Sequence, residues 1–280
     1  MLSMANKNQF GVRRNFLKYL GASLIVACGA VAWFVSETPF HKSSSGGPTG
    51  TPLKKYMLPI PKFSSKVMLE EAIAWRRSLR EYKEEPITIE NLSMLLWAAQ
   101  GVNEFNYGLR TVPSAGGTYP IDVYVSVCDN GVLMEGMEYL PSGSYKYNCK
   151  DHSLRLIKTG NVRDALATAS LKQDWVSNAV ISIVVFATFE RTTKVYGERG
   201  QRYVHMEDGH VGQNIYLMAT ALNLGAVVIG AFDDNKVKES LGAEPTEQPL
   251  YVIPVSVPKE PYRITEQELS DYYQKVRQSE

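Results

Sequence analysis

The sequence predicts an α+β fold, in one large domain that follows a separate N-terminal segment. Helical and strand patterns mix along the chain without strict β-α alternation, and neither G-x-G-x-x-G nor G-x-x-x-x-G-K occurs. A doubly wound dinucleotide-binding fold and a P-loop enzyme are therefore disfavoured. With 280 residues, of which 44% are hydrophobic and 21% charged, the chain can bury a substantial core. Its net charge of +1 is no large excess of positive charge, so nucleic acid is not an expected partner.

The first residues of the chain resemble an export signal. Arg13 and Arg14 stand in the pattern R-R-N-F-L-K, and an apolar run without acidic residues follows at 19–35. We expect residues 1–36 to be a twin-arginine-like signal or a membrane anchor, and an ordinary secretory signal is the alternative. The folded part is then exported to the periplasmic or extracytoplasmic side, either released or anchored to the membrane.

The end of this segment leaves three outcomes open: cleavage after Ala30-Val31-Ala32, lipidation at Cys28, and an uncut anchor of about seventeen apolar residues. Residues 37–62, which include a stretch rich in Ser, Gly and Pro, are expected to form a flexible linker. The folded domain is expected at 63–280. Cys128 and Cys149 flank a predicted turn, and both a disulfide and two separate buried thiols remain open for them.

The first half of the domain predicts two helices and a strand. Apolar residues at helical spacing predict a helix over 67–80, which carries an arginine cluster at its end. Leu92 and the apolar residues at i+3, i+4 and i+7 predict a second helix, capped by Thr88 and stopped at Gly101. Alternating apolar residues over 121–127 predict a strand with one polar face.

The second half adds a long helix and a buried strand as its clearest elements. A nearly continuous apolar, β-branched run predicts a central strand buried on both faces, and an apolar stripe that ends at a glycine predicts the long helix. The full set is a hairpin from 133–140 and 145–147, a helix over 161–171, the central strand over 179–189, the long helix over 203–224, strands over 226–232 and 250–257, a short helix over 235–241, and a terminal helix capped by Thr265 and Glu268.

Two short segments carry the functional signal. Arg76, Arg77 and Arg80, with Ser78 among them, concentrate guanidinium groups and a hydroxyl in a way suited to a phosphate dianion. The loop 110–120 is rich in Pro, Ser and Gly, so its backbone N–H groups are open to a flat or anionic ligand. Together the segments predict a bound phosphorylated cofactor. Taken singly, a solvated helix face and a plain turn are the alternatives.

Metal and hydrolase chemistry find no support in the sequence. His205 and His210 are separated by an offset that places them on different faces of the predicted helix, so they do not form a metal pair with Glu207. No Cys/His spacing suggests a zinc or iron–sulfur site, and no G-x-S-x-G elbow occurs. We therefore expect no metal site.

The order of four motifs resembles that of the FMN-dependent nitroreductase superfamily. The motifs are R-R-S-L-R at 76–80, P-S-A-G-G-T-Y-P at 113–120, G-H-V-G-Q-N at 209–214 and L-G-A-V-V-I-G-A-F at 224–232. More narrowly, the chain is similar to the SagB-type branch, named for thiazole/oxazole dehydrogenases. The resemblance spans residues 67–257.

This resemblance implies a fold, a cofactor and an activity. The fold is a nitroreductase-like α+β fold with a central mixed, mostly antiparallel sheet flanked by helices, in which two subunits exchange segments as an intertwined homodimer. FMN is the implied cofactor, bound at the subunit interface. The implied activity is that of an FMN-dependent oxidoreductase, which transfers a hydride or an electron pair through flavin N5.

The resemblance also assigns residues. At the phosphate and ribityl end of FMN it places Arg76, Arg77, Ser78 and Arg80, with Arg263 added, for which Lys259 is the alternative. Along the flavin, from the other subunit, it places Pro113, Ser114, Ala115 and Gly117. Beneath the ring it places Val228, Ile229 and Gly230, with the Gly230 N–H directed at N5. Tyr119, Arg202 and Tyr203 are the candidate catalytic residues. Ala231 and Ser256 stand where family members usually have glycine.

Export bears on the electron donor, because NAD(P)H is not available outside the cytoplasm. A small-molecule or quinone-like redox substrate and a membrane electron donor are therefore the expected partners. Two other functions remain open: a non-catalytic flavin-binding protein and a membrane-tethered interaction protein without a cofactor.

Overall fold

An antiparallel sheet of seven strands organises the protein, which the computed structural model describes over residues 54–279. The strands along the chain are β1 (Lys55–Met57), β2 (Ile87–Thr88), β3 (Val102–Glu104), β4 (Leu109–Arg110), β5 (Ile121–Val127), β6 (Val132–Leu133), β7 (Gly143–Asn148), β8 (Ser153–Thr159), β9 (Ile181–Ala187), β10 (Gly225–Ala226) and β11 (Gln248–Ser256). The order across the main sheet is β1-β8-β7-β5-β9-β11-β10. The remaining strands form two small pairs, β2 with β6 in parallel and β3 with β4 antiparallel.

Helices cover both faces of this sheet. They are α1 (Leu69–Trp75), α2 (Ile89–Gln100), α3 (Arg163–Ala169), α4 (Asp174–Ser177), α5 (Glu190–Tyr196), α6 (Arg199–Ala221), α7 (Asp234–Leu241) and α8 (Glu266–Gln278). The larger apolar core holds the buried faces of α2 and α6 against the sheet, and a second core holds α3 and α7 against the opposite face. The α+β fold with a helix-flanked sheet is confirmed.

Several sequence-based elements are confirmed with small changes of boundary. The Thr88 hydroxyl caps α2 by accepting from the Asn91 N–H, and the helix stops at Gly101. The predicted central strand is β9, in which every residue is buried. The long helix α6 begins four residues earlier than predicted, at Arg199. Thr265 and Glu268 form the predicted capping box of α8.

Two predictions about the strands are wrong, one on the exposure of a strand face and one on strand pairing. The strand β5 has no solvated polar face, because Tyr124 packs on Phe186 in the second core and Ser126 is also buried. The predicted hairpin of 133–140 with 145–147 does not form, because β7 pairs with β8 and β5 instead.

Two other predicted elements are shorter than expected. The helix predicted over 67–80 ends at Trp75, and Arg76 already has extended backbone geometry. Of the strand predicted over 226–232, only Ala226 lies in a strand of the sheet, β10, with one further bridge between Ile229 and Val252. The segments on either side of these ends form the candidate site.

The cysteines and the chain's beginning complete the description. Within the described part of the chain, Cys128 and Cys149 are both free thiols. Residues 55–57, which fall in the range expected to be a linker, form β1 and pair with β8. The export signal at 1–36, Cys28 and the linker up to residue 53 lie outside the described residues. Over 54–279, no helix combines the length and the apolar character that crossing a membrane requires.

Candidate functional site

The arginine segment leaves α1 in an extended conformation and runs beside β10. Ser78 forms a parallel bridge with Ala226, and the Leu79 N–H donates to the Ala226 carbonyl at 3.0 Å. This pairing explains why the helix ends at Trp75: the backbone N–H of Leu79 bonds to a strand rather than to a helical turn. The predicted phosphate clamp therefore sits on a sheet edge and not on a helix.

Tyr216 of α6 connects this segment with the next one. Its hydroxyl lies 2.8 Å from the Ser78 Oγ and accepts from the Val228 N–H at 2.8 Å. The Arg76 guanidinium stands over the Tyr216 ring, 5.1 Å from its centroid. One side chain, which sequence reasoning missed, thus brings together three residues that it assigned to the same cofactor. No sequence signal marked Tyr216, because aromatic residues on a long helix are ordinary.

The other arginines lie on neighbouring aromatic rings. Arg77 stacks on Tyr262 at 4.0 Å and Arg80 lies over Trp175 at 5.1 Å. Arg263 stacks on Trp75 at 4.5 Å and donates to the Asn223 Oδ1 at 2.7 Å. Among the described residues, none of Arg76, Arg77, Arg80 and Arg263 forms a salt bridge, and the same holds for Lys259. Their charge is therefore not neutralised by nearby carboxylates.

The segment after β10 runs from the arginines toward the middle of the sheet. Ile229 exchanges backbone hydrogen bonds with Val252 at 3.0 Å in both directions. Gly230 is exposed, a Cβ added to it would meet open space, and its N–H donates to no backbone carbonyl within residues 54–279. Val228, Ile229 and Gly230 thus form a short platform with a free N–H at its end.

The glycine loop is held in a sharply turned conformation. Gly116 and Gly117 have φ angles of 60° and 66°, and the following Tyr119 has φ 45°. The Ser114 Oγ accepts from the Tyr119 N–H at 2.9 Å, which closes the turn. A Cβ at Gly116 would lie 2.5 Å from the Tyr196 hydroxyl, so α5 approaches the loop backbone closely. Pro113, Ser114, Ala115 and Gly117 therefore lie on one compact turn.

Within one chain, the loop and the arginine segment lie at opposite ends of the sheet. Ala226 is in register with Val255 and, through β9, with Val127, whereas the loop leads into Ile121 at the other end of β5. The length of β5 separates these rows by about 20 Å. The structure therefore brings the arginines and the 228–230 platform together, and it places the loop apart from both.

The three candidate catalytic residues do not form one cluster. The Tyr119 ring lies under the Arg110 guanidinium at 4.3 Å, and its hydroxyl accepts from the Arg110 N–H at 3.3 Å. The Tyr203 ring packs edge-on against Tyr196, and its hydroxyl accepts from the Arg199 Nε at 3.0 Å. Arg202 is exposed. Because Tyr196 also touches the loop at Gly116, Tyr203 belongs to the surroundings of the loop.

Two buried carboxyl groups on α6 were not recognised in the sequence. Glu207 and Asp208 are each 3% exposed, and within the described chain Glu207 Oε1 and Asp208 Oδ1 have no hydrogen-bond partner. Burial raises the pKa of Glu207 to about 7, against the opposing effects of the Ser114 hydroxyl and the Arg110 charge. Burial raises the pKa of Asp208 to about 8. The available signal was their position on the buried stripe between Val204 and Val211.

These features fit a phosphorylated flavin. The unpaired guanidinium groups suit a phosphate, while the exposed Gly230 with its free N–H lets a flat ring approach the platform. Over the described residues, no group of three or more His, Cys, Asp and Glu side chains could hold a metal ion. His205 and His210 are both exposed, and His205 packs against Phe189.

Comparison with known proteins extends this assignment. Residues 73–256 match the sequence model of the nitroreductase family. A putative nitroreductase of Methanocaldococcus jannaschii is 48% identical over 189 residues, which are 68% of this chain and 90% of that protein. The crystal structure of a putative nitroreductase from Ralstonia eutropha JMP134 is 29% identical with a TM-score of 0.63, and the match covers 75% of this chain and 92% of that one.

A further solved structure shares the fold at lower identity. It is a putative nitroreductase from Desulfovibrio desulfuricans in complex with FMN, 22% identical with a TM-score of 0.50. The match covers 72% of this chain and 94% of that one. At this identity the likeness shows the fold alone.

Proposed function

Because the chain belongs to the nitroreductase family, we propose that it is an FMN-dependent oxidoreductase whose cofactor lies between the arginine segment and the 228–230 platform. The single observation that carries this placement is the Tyr216 hydroxyl, which ties Ser78 to the backbone of Val228. The arginine segment would then hold the phosphate and the platform would hold the ring, and the Tyr216 hydroxyl fixes the position of one segment relative to the other. The family's FMN-bound member from Desulfovibrio desulfuricans supports the choice of cofactor.

The residues of this chain have separable tasks in such a reaction. When bound, FMN supplies transfer of a hydride or an electron pair through its N5. Arg76, Arg77 and Arg80 neutralise the phosphate, while the Gly230 N–H is free to donate to a ring nitrogen. Glu207, with its pKa raised to about 7 by burial, holds a proton for part of the time at neutral pH, next to Ser114 of the loop.

A homodimer is part of the proposal. The loop lies about 20 Å along the sheet from the arginine row, whereas the family resemblance assigns both to one flavin. If each chain places its loop beside the arginines of the other chain, one flavin can contact both segments although they lie far apart within a single chain. A C2 dimer of this kind contains two equivalent sites.

The finer assignment to the SagB-type branch is supported by the motifs P-S-A-G-G and G-H-x-x-Q-N. In that branch the polar residues before the long helix are associated with azoline oxidation, and Arg202 and Tyr203 lie in the first turns of α6. We propose a small-molecule or quinone-like acceptor for this chain. The twin-arginine-like start of the sequence supports export of the folded, flavin-loaded protein and an electron donor in the membrane.

The test begins with the absorption spectrum of the purified full-length protein after incubation with FMN. We expect flavin bands, and we expect Arg76→Gln to weaken FMN binding at least about tenfold because a phosphate loses one of its charged partners. Arg277→Gln, on the exposed end of α8, serves as the matched control. A colourless protein after incubation with FMN would contradict the proposal.

Turnover is tested separately, by reducing the bound flavin with dithionite and mixing it anaerobically with 1,4-naphthoquinone. We expect rapid reoxidation of the flavin. A yellow protein that stays reduced with this and other acceptors would instead support a flavin-binding protein without turnover. Cell fractionation tests export, and a flavoprotein found only in the cytosol would contradict it.

A further inference from the structure

A pocket of about 430 Å³ lies where β5 and β7 separate. The two strands pair only from Tyr124 with Lys146 to Val127 with Gly143. Beyond this point β5 begins at Ile121 and β7 continues to Asn148, and these ends pair with β9 and β8 but not with each other. The pocket therefore lies in a gap between two strands of the sheet, and residues from both faces of the sheet line it.

The lining is strongly cationic. Five basic side chains line the pocket, against a single carboxylate, Asp122. The basic residues are Lys55, Arg110, Lys146, Lys150 and Arg155. Asp122 is already neutralised, since it accepts from the Arg191 Nη2 at 2.7 Å and lies 3.7 Å from the Lys146 Nζ. The net charge that faces the pocket is thus positive.

Three of these cations stand in one row across the sheet. Arg155 of β8 is the direct cross-strand partner of Lys55 on β1 and of Lys146 on β7. Like charges directly opposite each other destabilise a sheet. Lys55 is paired with Asp151 and Lys146 with Glu247, but Arg155 in the middle forms no salt bridge within residues 54–279. The carboxylates of Asp151 and Glu247 thus offset the two outer charges of the row, whereas no described carboxylate offsets the middle charge, that of Arg155.

A buried amide also positions one of the cations at this pocket. Gln100 lines it and is 2% exposed, and its Oε1 accepts from the Arg110 Nη1 at 2.9 Å. This contact fixes the orientation of the amide, because a guanidinium group only donates. The Gln100 Nε2 is directed at the buried Glu207 carboxyl, so the amide holds the Arg110 guanidinium in place at the edge of the pocket.

We propose that this pocket binds an oxyanion carried by a small molecule, with Arg155, Lys150 and Arg110 supplying the charge and Gln100 holding the Arg110 guanidinium in position. The volume is within the range of small-molecule sites. The pocket is separate from the arginine segment, because it adjoins the Ile121 end of β5 whereas Ser78 lies beside Ala226 at the other end. It does adjoin the glycine loop, the other part of the proposed flavin site, because the Arg110 guanidinium lies over the Tyr119 ring at 4.3 Å.

The test is isothermal titration calorimetry on the FMN-loaded full chain with phenyl phosphate, benzoate and benzyl alcohol. We expect at least one of the two anions to bind at least about tenfold more tightly than the neutral alcohol. We also expect the affinity for that anion to fall as the salt concentration rises. A preference for phenyl phosphate assigns a phosphate group, and a preference for benzoate assigns a carboxylate. Failure of both anions to exceed benzyl alcohol overturns the proposal.

Arg155→Gln and the control Lys275→Gln make the test specific. Both positions are exposed, and Lys275 lies on α8. Arg155→Gln is expected to weaken anion binding at least about tenfold, to leave the FMN content unchanged and to raise the melting temperature of the ligand-free protein by relieving repulsion in the cationic row. Lys275→Gln is expected to change none of these. Unchanged anion binding in Arg155→Gln, or loss of FMN in its place, overturns the proposal.

Discussion

At the scale of single residues, the Tyr216 hydroxyl joins Ser78, which lies 138 residues before it in the sequence, to Val228, which lies 12 residues after it. It accepts the Val228 N–H while exchanging a second hydrogen bond with the Ser78 Oγ. A phenyl ring would preserve the packing under Arg76 but leave the Val228 N–H without its partner. The hydroxyl therefore acts through position, and it does not need to touch the cofactor.

Tyr216→Phe is expected to weaken FMN binding about tenfold and to destabilise the protein by about 1–3 kcal/mol, because a partly buried N–H loses its acceptor. FMN titration by fluorescence and urea unfolding measure the two effects. Tyr273→Phe, on an exposed position of α8, is the matched control. Equal FMN affinity in Tyr216→Phe and wild type would show that the tie between the segments is dispensable.

Asp208 gives a second prediction at this scale, through the dependence of stability on pH. Its pKa is raised from 3.8 in the unfolded chain to about 8 by burial, so its favourable contribution is complete below pH 3.8 and is lost as pH rises toward 8. Glu207 acts in the same direction, from 4.5 up to about 7. Between pH 7 and 8 the loss is therefore due mainly to Asp208 and amounts to about 1 kcal/mol, because the carboxyl is only partly protonated near its pKa.

Asp208→Asn is expected to flatten the free energy of unfolding between pH 7 and 8, because the amide does not ionise. Urea unfolding at pH 6, 7 and 8 measures the slope. The exposed Asp271→Asn should keep the wild-type slope. If Asp208→Asn keeps it as well, the Asp208 carboxyl is ionised in the folded protein and its burial does not control its charge.

At the scale of elements, the contact between the glycine loop and α5 determines the shape of the loop. Gly116 has a φ of 60° and its Cβ position lies 2.5 Å from the Tyr196 hydroxyl. An alanine there meets both backbone strain and a steric clash. The same helix contacts the loop a second time, through the hydrogen bond between Thr118 and Thr192 at 2.8 Å.

Gly116→Ala is expected to weaken FMN binding and to cost more stability than Gly136→Ala. Gly136 also has a positive φ, of 78°, but nothing lies within 4 Å of its Cβ position, so it isolates the cost of strain, about 1–2 kcal/mol. The difference between the variants in urea unfolding measures the clash. Tyr196→Phe in the Gly116→Ala background should recover part of that difference, and no recovery would place the clash elsewhere.

Sequence patterns predicted those elements whose signals are local. Thr88 and Gly101 mark both ends of α2, and the apolar run around β9 identifies a central strand. The helix predicted to carry the arginines is shorter than expected because a residue far away in the sequence determines where it ends. The Ala226 carbonyl accepts a hydrogen bond from the Leu79 N–H, which therefore does not continue the helix. The polar face predicted for β5 is wrong for a similar reason: Tyr124 is covered by a second core that local alternation cannot reveal.

The candidate site divides in the same way. The unusual composition of the arginine segment and the loop located both of them, and the resemblance to a known family located the 228–230 platform. The residues that were missed, Tyr216, Glu207 and Asp208, lie on a long helix where their residue types are ordinary, and only burial and hydrogen bonding distinguish them. The order of motifs along the chain did not indicate that the loop and the arginines lie at opposite ends of the sheet.

At the scale of the whole molecule, this separation makes a prediction about two chains. Arg76→Glu damages one half of the proposed site and Gly116→Val damages the other. In a homodimer of either variant both sites are defective, whereas a mixed dimer holds one site with both defects and one with none. Co-expression of the two variants with different tags is expected to restore about a quarter of the wild-type flavin content, by random pairing of subunits.

The flavin absorption of the total pool of dimers measures this, and each variant expressed alone is the control. The mixed dimer isolated through both tags is expected to hold about half of the wild-type flavin content. Random pairing puts half of the chains in mixed dimers, and half of the sites there are intact. A mixed dimer as colourless as either parent would show that the loop and the arginines of one chain serve the same flavin.

The distance between the loop and the arginine row has a consequence for how the protein behaves on dilution. If each flavin rests on groups from two chains, then loss of cofactor and dissociation of subunits are one equilibrium, and FMN stabilises the dimer by mass action. Fluorescence of released flavin would then rise below a threshold protein concentration, which moves downward as free FMN is added. The colour of a solution would report its state of assembly.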